Sequence, residues 1–303
     1  MGEYRSGIVA VLGRPNVGKS SLVNALVGNK VSIVSDKAQT TRRRALGILT
    51  RPGSQIAFLD TPGIHVPSTR LGRALNDAAR STLDDADVLM VVVNAGQDPR
   101  EEDRRISAML EGAKLGDRSR QMPLVLVMNK MDTLAPADVE RRYEAFGELF
   151  QPQEIIMTSA TRGDNLEKLA DALAQFLPEQ PPLFDEDLYT DQPVREIAAE
   201  IVREHALRRL RQEVPHALAT YCESWEVEAN GTTHIGVVLL CETEGQKAIL
   251  IGRRGTMLKA IGTDARAEIV ELIDGPVYLE TFVKVRNDWR QSDRTLQELN
   301  YLR

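Results

Sequence analysis

A short apolar run, Ile8 to Leu12, leads directly into Gly13-Arg14-Pro15-Asn16-Val17-Gly18-Lys19-Ser20, and a helix-like stretch from Ser21 to Leu26 follows. The eight residues fit the pattern G-x-x-x-x-G-K-[ST], which carries meaning only where a buried strand enters a tight glycine turn that opens a helix. That context is present. In it the turn's backbone N–H groups converge on an anion at the helix N-terminus, where unpaired donors and the helix dipole favour negative charge, and Gly13, Val17, Gly18 and Ser21 are candidate nucleotide-binding residues. Lys19 would reach the β- and γ-phosphates of a nucleotide, and the Ser20 hydroxyl would ligate Mg²⁺.

The same rhythm continues. Apolar runs at Ile8–Leu12, Ile56–Leu59, Val88–Val93, Leu124–Met128 and Ile155–Met157 alternate with helical spacing at Leu71–Leu83, Glu101–Leu110 and Leu166–Phe176. Strands alternating with helices predict an α/β fold, a mainly parallel sheet covered on both faces. Ligands of such sheets bind beyond the carboxyl ends of the strands. Each polar motif of the first half follows one of the runs, which puts all of them on one rim.

Asp60-Thr61-Pro62-Gly63 follows Ile56–Leu59. A carboxylate there can hold the Mg²⁺ shell opposite Ser20, and the Gly63 N–H can bond the γ-phosphate and release it after hydrolysis. Asn129-Lys130-Met131-Asp132 follows Leu124–Met128. Asp132 can accept from guanine N1–H and the N2 amino group, where adenine offers an acceptor and a bare carbon, so ATP would leave a buried carboxylate unpaired. Lys130 would lay its methylene stem along the base, and Asn129 would tie this loop to the phosphate loop. Ser159-Ala160, after Ile155–Met157, would add a backbone N–H for guanine O6.

In this order and spacing the four motifs resemble the translation-factor-like branch of the P-loop GTPases. The resemblance implies GTP and GDP as ligands and a first switch at Gln39-Thr40-Thr41-Arg42. Thr41 matches the family threonine that closes on Mg²⁺ and γ-phosphate, with Thr40 as the other candidate. The metal set is then Ser20, Thr41 and Asp60, and the groups expected to act in hydrolysis are Lys19, Thr41, Gly63 and Asn16. Where Ras-like enzymes carry a water-orienting Gln, this chain has Ile64, so hydrolysis needs stabilisation from elsewhere. Asn16 stands where related GTPases use an asparagine to hold K⁺ beside the phosphates. As a bare turn residue it would need no ion.

Pro178 to Asp187 is proline-rich and acidic and reads as a linker. The expected organisation is a nucleotide-binding domain over 1–178, a linker over 179–193 and a second domain over 194–303. In the second domain a charged helix from Val194 to about Glu213 precedes strands at His216–Glu228 and Thr233–Glu242, joined at Asn230-Gly231. A helix interrupted at Gly252–Gly255, a long helix to Ile273 and a strand at Val277–Val285 follow.

A G-x-x-G turn between two helices lets backbone approach backbone, and basic residues at its tip can clamp a sugar-phosphate chain. Ile251-Gly252-Arg253-Arg254-Gly255, in this element order, resembles a KH domain of the bacterial type (type II). Residues 193–303 hold 15 Lys and Arg against 17 Asp and Glu, so attraction for nucleic acid must be local. Arg253, Arg254, Lys259, Lys284, Arg286 and Arg290 are the candidates.

A GTPase of this pattern joined to such a domain resembles the Era family of bacterial GTPases along nearly the whole chain. The resemblance implies binding to the 3′ end of small-subunit ribosomal RNA, a role in 30S subunit assembly, cytoplasmic location and a peripheral contact with the inner membrane. Two rivals differ in class: a GTPase assisting RNA modification, which wants a nucleophile or metal cluster in the second half, and an RNA-binding scaffold with structural nucleotide.

Composition narrows the rest. A net charge of −6 over 303 residues gives no global pull on nucleic acid. Cys222 and Cys241 are too few for a disulfide framework, and His65, His205, His216 and His234 lack metal spacing. No stretch reaches the roughly 18 apolar residues of a membrane span, and the N-terminus lacks a signal-type apolar region. Trp225 and Trp289 read as packing aromatics, with base stacking by Trp289 as the alternative.

Overall fold

A computed structural model describes residues 4–37, 40–63, 69–112 and 122–302, the side chain of Arg80 excepted. The chain divides into two compact units, the first comprising Met1–Val34, Thr41–Ser68 and Gly72–Asp191. Ser35–Thr40, Thr69–Leu71 and Gln192–Arg303 form the second.

In the first unit β1 (Arg5–Leu12) runs into α1 (Lys19–Val27), followed by β2 (Ala45–Arg51), β3 (Ser54–Asp60), α2 (Arg70–Ser81), β4 (Val88–Asn94) and α3 (Glu101–Gly112). Then come β5 (Leu124–Asn129), α4 (Val139–Phe150), β6 (Glu154–Met157) and α5 (Leu166–Phe176). The sheet order is β2-β3-β1-β4-β5-β6, and only β2 is antiparallel to its neighbour. Alternate strand residues face opposite sides. Val9, Val11, Ile56, Phe58, Val125 and Val127 pack with Leu22, Val23, Leu169 and Leu173. Leu12, Leu89, Val91, Leu126 and Met128 pack with Ile106, Phe146 and Phe150. Both faces are therefore covered, as the continuous apolar runs require.

The proline-rich stretch read as a linker is laid against this unit. The Ser6 hydroxyl donates to Pro181 O (2.6 Å) and Gln55 Nε2 to Phe184 O (2.9 Å), while the Leu183 and Phe184 amides donate to Gln55 Oε1 (2.8 and 2.9 Å). Further on, Ile48 N–H donates to Tyr189 O (2.9 Å).

The second unit holds α6 (Val194–Arg209), a short α7 (Val214–Ala217), β7 (Ala219–Val227), β8 (Thr233–Cys241), α8 (Glu244–Ile251), α9 (Thr256–Ile273), β9 (Val277–Val285) and α10 (Asp293–Glu298). The strand expected from His216 begins at Ala219 instead. Pro215, with fixed φ and no N–H, opens a helical turn there. β7 pairs antiparallel with β8, and β9 pairs parallel with β8. A parallel pair needs a long crossover, which α8 and α9 supply. The β7–β8 connection spans residues 228–232, with Gly231 at φ 84° and Glu228 N–H bonded to Thr232 O (2.9 Å).

Candidate functional site

The loop after β1 is shaped by its neighbours. Gly18 has φ 97°, and a Cβ there would lie 2.4 Å from Asn129 Nδ2, so no other residue fits without displacing that side chain. α1 starts with no side-chain cap and no acid in its first turn, which leaves its leading N–H groups and dipole for an anion. Lys19 is 6% exposed, and its ammonium donates to the carbonyls of Gly13 (2.9 Å) and Arg14 (3.2 Å). Burial pulls its pKa down to about 8, against the opposing pull of the Asp60 charge.

Asp60 ends β3 fully buried, and burial pushes its pKa up while the Ser20 hydrogen bond and the Lys19 charge hold it down. Ser20 Oγ donates to Asp60 Oδ2 (2.7 Å) and lies 2.9 Å from Thr41 Oγ1. The other carboxylate oxygen, Asp60 Oδ1, is buried without a hydrogen-bond partner. Two hydroxyls and one carboxylate, with one of its oxygens left without a partner, form an all-oxygen set of the kind a hard divalent cation takes, so the residues fit Mg²⁺. Thr40 points elsewhere, its hydroxyl donating to Lys37 O (2.6 Å). Gly63 sits so near Pro15 that a Cβ would meet its nitrogen at 2.9 Å. Ile64, the residue in the water-orienting place, and His65 and Gln39 lie outside the described residues.

On the next strands, Asn129 is buried and bridges two loops. Its Nδ2 donates to Val17 O (3.0 Å), and its Oδ1 accepts from the Ala160 N–H and the Thr158 hydroxyl (each 3.2 Å). Lys130, at φ 63°, donates to Asn16 O (2.9 Å), and Asn16 itself is exposed at φ 65°. The Ser159 hydroxyl donates to Asp132 Oδ1 (2.7 Å), and that bond lowers the Asp132 pKa, keeping the carboxylate ionised as an acceptor. The chain thus gathers Asn16, Lys19, Ser20, Thr41, Asp60, Asn129 and Asp132 on one rim of the first unit.

In the second unit Gly252 (φ 72°) is required, since a Cβ would come 2.7 Å from Met257 Cβ. Arg253 and Arg254 stand exposed at the turn, with Lys259 exposed one helical turn on. Three other basic candidates are engaged with carboxylates: Lys284 with Glu223, Arg286 with Glu298, and Arg290 with Glu242 (2.5 Å).

Comparison with known proteins decides the family. Residues 8–130 match the family model described as 50S ribosome-binding GTPase, and 213–290 match that of the KH domain. The chain is 41% identical to GTPase Era of Geotalea uraniireducens over 299 residues, covering 99% of this chain and 98% of the relative. It is 42% identical to that of Geotalea daltonii over the same length, with the same coverage. The chain belongs to the Era family of GTPases. Two solved Era structures superpose with a TM-score of 0.92 at 38% identity, covering 99% of this chain and 100% of each. One is a variant from Aquifex aeolicus bound to GDP·AlF₄⁻, and the other is a complex with MgGDPNP and nucleotides 1506–1542 of 16S ribosomal RNA.

This Era-family chain also carries polar groups that sequence reasoning passed over. Asp103, in the first turn of α3, is fully buried and accepts from Arg14 Nε (3.2 Å) and the Arg100 N–H (2.9 Å). Arg14 also donates to Gln97 Oε1 (2.6 Å), so the phosphate loop is braced from α3. Nothing in local spacing reports such a pair, 89 residues apart. The stacking alternative for Trp289 is ruled out. The ring is fully buried and its Nε1–H donates to Ala217 O (2.9 Å), so no face is open to a base. Among the described residues no group of His, Cys, Asp and Glu could hold a metal on its own, and no helix is long and apolar enough to cross a membrane.

Proposed function

We propose that this chain is a GTP-hydrolysing switch that takes GTP with Mg²⁺ on the rim of its first unit. Through the Gly252–Gly255 turn it binds the 3′ end of small-subunit ribosomal RNA and assists 30S assembly. One observation carries the nucleotide half: the hydroxyls of Ser20 and Thr41 meet at the buried Asp60, one of whose carboxylate oxygens has no hydrogen-bond partner. The Era complex with MgGDPNP and a 16S fragment supports both halves.

In this reading Ser20, Thr41 and Asp60 would hold Mg²⁺, which would supply neutralisation of phosphate charge. Lys19 turns its ammonium from the loop carbonyls to the phosphates, and Gly63 offers its N–H to the γ-phosphate. Asp132 accepts from the guanine edge, while Asn129 holds base loop and phosphate loop in register. Ser159 keeps Asp132 ionised. With an apolar Ile64 in place of a water-orienting group, Asn16 would help hold K⁺ beside the phosphates in the role of an arginine finger. Arg253, Arg254 and Lys259 supply the phosphate contacts on RNA. Lys284, Arg286 and Arg290 join them only by exchanging their carboxylate partners. Cytoplasmic location follows from this partner, and no feature of the described surface supports a membrane contact.

Multiple-turnover hydrolysis, with and without an oligonucleotide copying the ribosomal RNA 3′ end, tests the proposal. The expected result is RNA binding and a rate that responds to it, faster in K⁺ than in Na⁺. A rate indifferent to RNA together with no RNA binding would defeat the assembly role, and equal rates in the two salts would remove the K⁺ ion.

A further inference from the structure

The phosphate loop is held from two sides, and the two anchors grip different parts of it. On the side leading into α1, Asn129 Nδ2 donates to Val17 O (3.0 Å) and Lys130 Nζ donates to Asn16 O (2.9 Å). On the side leaving β1, the Arg14 side chain turns away and is buried. Its Nε donates to Asp103 Oδ2 (3.2 Å) and its Nη2 to Gln97 Oε1 (2.6 Å). The same Asp103 oxygen accepts the Arg100 N–H (2.9 Å), which fixes the carboxylate at the start of α3.

This pair is a poor source of stability. Asp103 is fully buried, and its other oxygen, Oδ1, has no hydrogen-bond partner. A dry acceptor and a desolvated guanidinium both cost free energy that an ion pair only partly returns. What the planar fork does well is fix an angle, because two acceptors set both its position and its tilt.

The backbone carries that angle forward. Pro15 follows Arg14, so the ring locks its own φ and restricts the residue before it. Holding the Arg14 side chain therefore holds Pro15 in place. Gly63 leans on that proline: a Cβ on Gly63 would lie 2.9 Å from Pro15 N and 3.1 Å from Pro15 Cα. The half of the loop gripped by Asn129 and Lys130 runs into the N–H groups at the start of α1, which serve the phosphates common to GDP and GTP. The half gripped by Asp103 and Gln97 meets Gly63, whose N–H serves the γ-phosphate alone.

Resting on the role proposed above for Gly63, we infer that Arg14 is a positioning residue for hydrolysis. Anchored on Asp103 and Gln97, it sets Pro15 as a fixed stop that holds the Gly63 peptide at the γ-phosphate. GDP lacks that phosphate. The anchor therefore bears on the rate of hydrolysis and not on GDP affinity.

The full-length chain tests this with Arg14→Met, the charge-keeping Arg14→Lys, Gln97→Ala and, as a check on the function itself, Gly63→Ala. For each, kcat for GTP, Kd for GDP and the thermal midpoint are read. Arg14→Met should lower kcat about 10- to 100-fold through misplacement of Gly63. GDP affinity should stay within about threefold, the mark of a contact that matters only in the transition state. Arg14→Lys keeps a cation beside Asp103 but loses the fork, and it should recover part of kcat. Gln97→Ala removes one bond of the fork and should cost about 2- to 10-fold in kcat. Added to Arg14→Met it should cost nothing more, since the two side chains act as one unit. The inference is overturned if Arg14→Met keeps the wild-type kcat or, should that variant not fold, if Gln97→Ala does. It is equally overturned if kcat, GDP affinity and thermal midpoint fall together, as they would for a merely structural arginine. Gly63→Ala separates this from failure of the function: its methyl would press on Pro15, and kcat should fall sharply. Wild-type hydrolysis by Gly63→Ala removes the role of Gly63 first and this inference with it. A slow Gly63→Ala beside an unimpaired Arg14→Met defeats the inference alone.

Discussion

In the first unit the glycine turn of residues 13–18 is walled in. Lys19 and Asp60 are buried beside it, each pushed toward its neutral form, and Asn129 presses on Gly18. In the second unit the turn Gly252–Gly255 carries Arg253 and Arg254 into solvent. Both turns need glycine for backbone shape, yet they treat charge in opposite ways. Buried charges with fixed partners are expensive to assemble and strong when a ligand completes them. Exposed arginines hold a phosphate chain with little geometric demand and lose grip as salt rises. The first turn is built to discriminate; the second is built to hold.

Removing the buried cation should have the largest effect. Lys19→Ala takes away the donor aimed at the phosphates and leaves Asp60 buried without its cation. kcat/KM for GTP should fall about 10³-fold, as single-turnover hydrolysis would measure. A loss below tenfold would mean that the buried charge is idle and that the contrast between the turns is wrong.

A pH series sharpens the contrast. Lys19 titrates at about 8, against 10.5 for an unhindered lysine. A polyphosphate holds the proton on, so above pH 8 binding must take up a proton, and GDP affinity should fall toward tenfold per pH unit. For folding the sign is opposite. Between pH 8 and 10.5 the unfolded chain carries the extra proton, so stability gains with rising pH, by ~3 kcal/mol in all. Calorimetry in buffers of different ionisation enthalpy should show proton uptake on GDP binding at pH 8.5. No uptake would place Lys19 in an ordinary environment.

The smallest effect belongs to the exposed turn. Replacing Arg253 and Arg254 together by Ala should weaken RNA binding about tenfold and flatten its dependence on log salt by about 0.7 per lost contact. Nucleotide affinity should not move. If it does, the two turns are not separate devices.

Much of the fold and the nucleotide site is legible in the amino-acid sequence. The apolar runs set strand positions to within about three residues because a buried parallel strand needs continuous apolar sequence, and the motifs at their ends set the rim. β2 escapes, since Ala45–Arg51 is a short edge strand with Gly47 at its middle and arginines at Arg42, Arg43 and Arg44 before it. Gly47 is small because Val23 would lie 2.9 Å from a Cβ there, a tertiary fact with no local trace. Long-range polar pairs escape for the same reason. Arg14 with Asp103 and Arg203 with Thr40 join residues far apart in sequence, and nothing in their neighbourhoods marks them. Composition also marks the proline-rich stretch after residue 177 but not the bonds to Ser6 and Gln55 that hold it down.

The account stands or falls on whether the rim of the first sheet selects guanine through Asp132. Titration calorimetry of GDP and ADP against the full-length protein in Mg²⁺ measures this directly. GDP should bind at least about 10³-fold tighter than ADP, and Asp132→Ala should erase most of that gap. Equal affinities for the two diphosphates in the wild-type protein would contradict it.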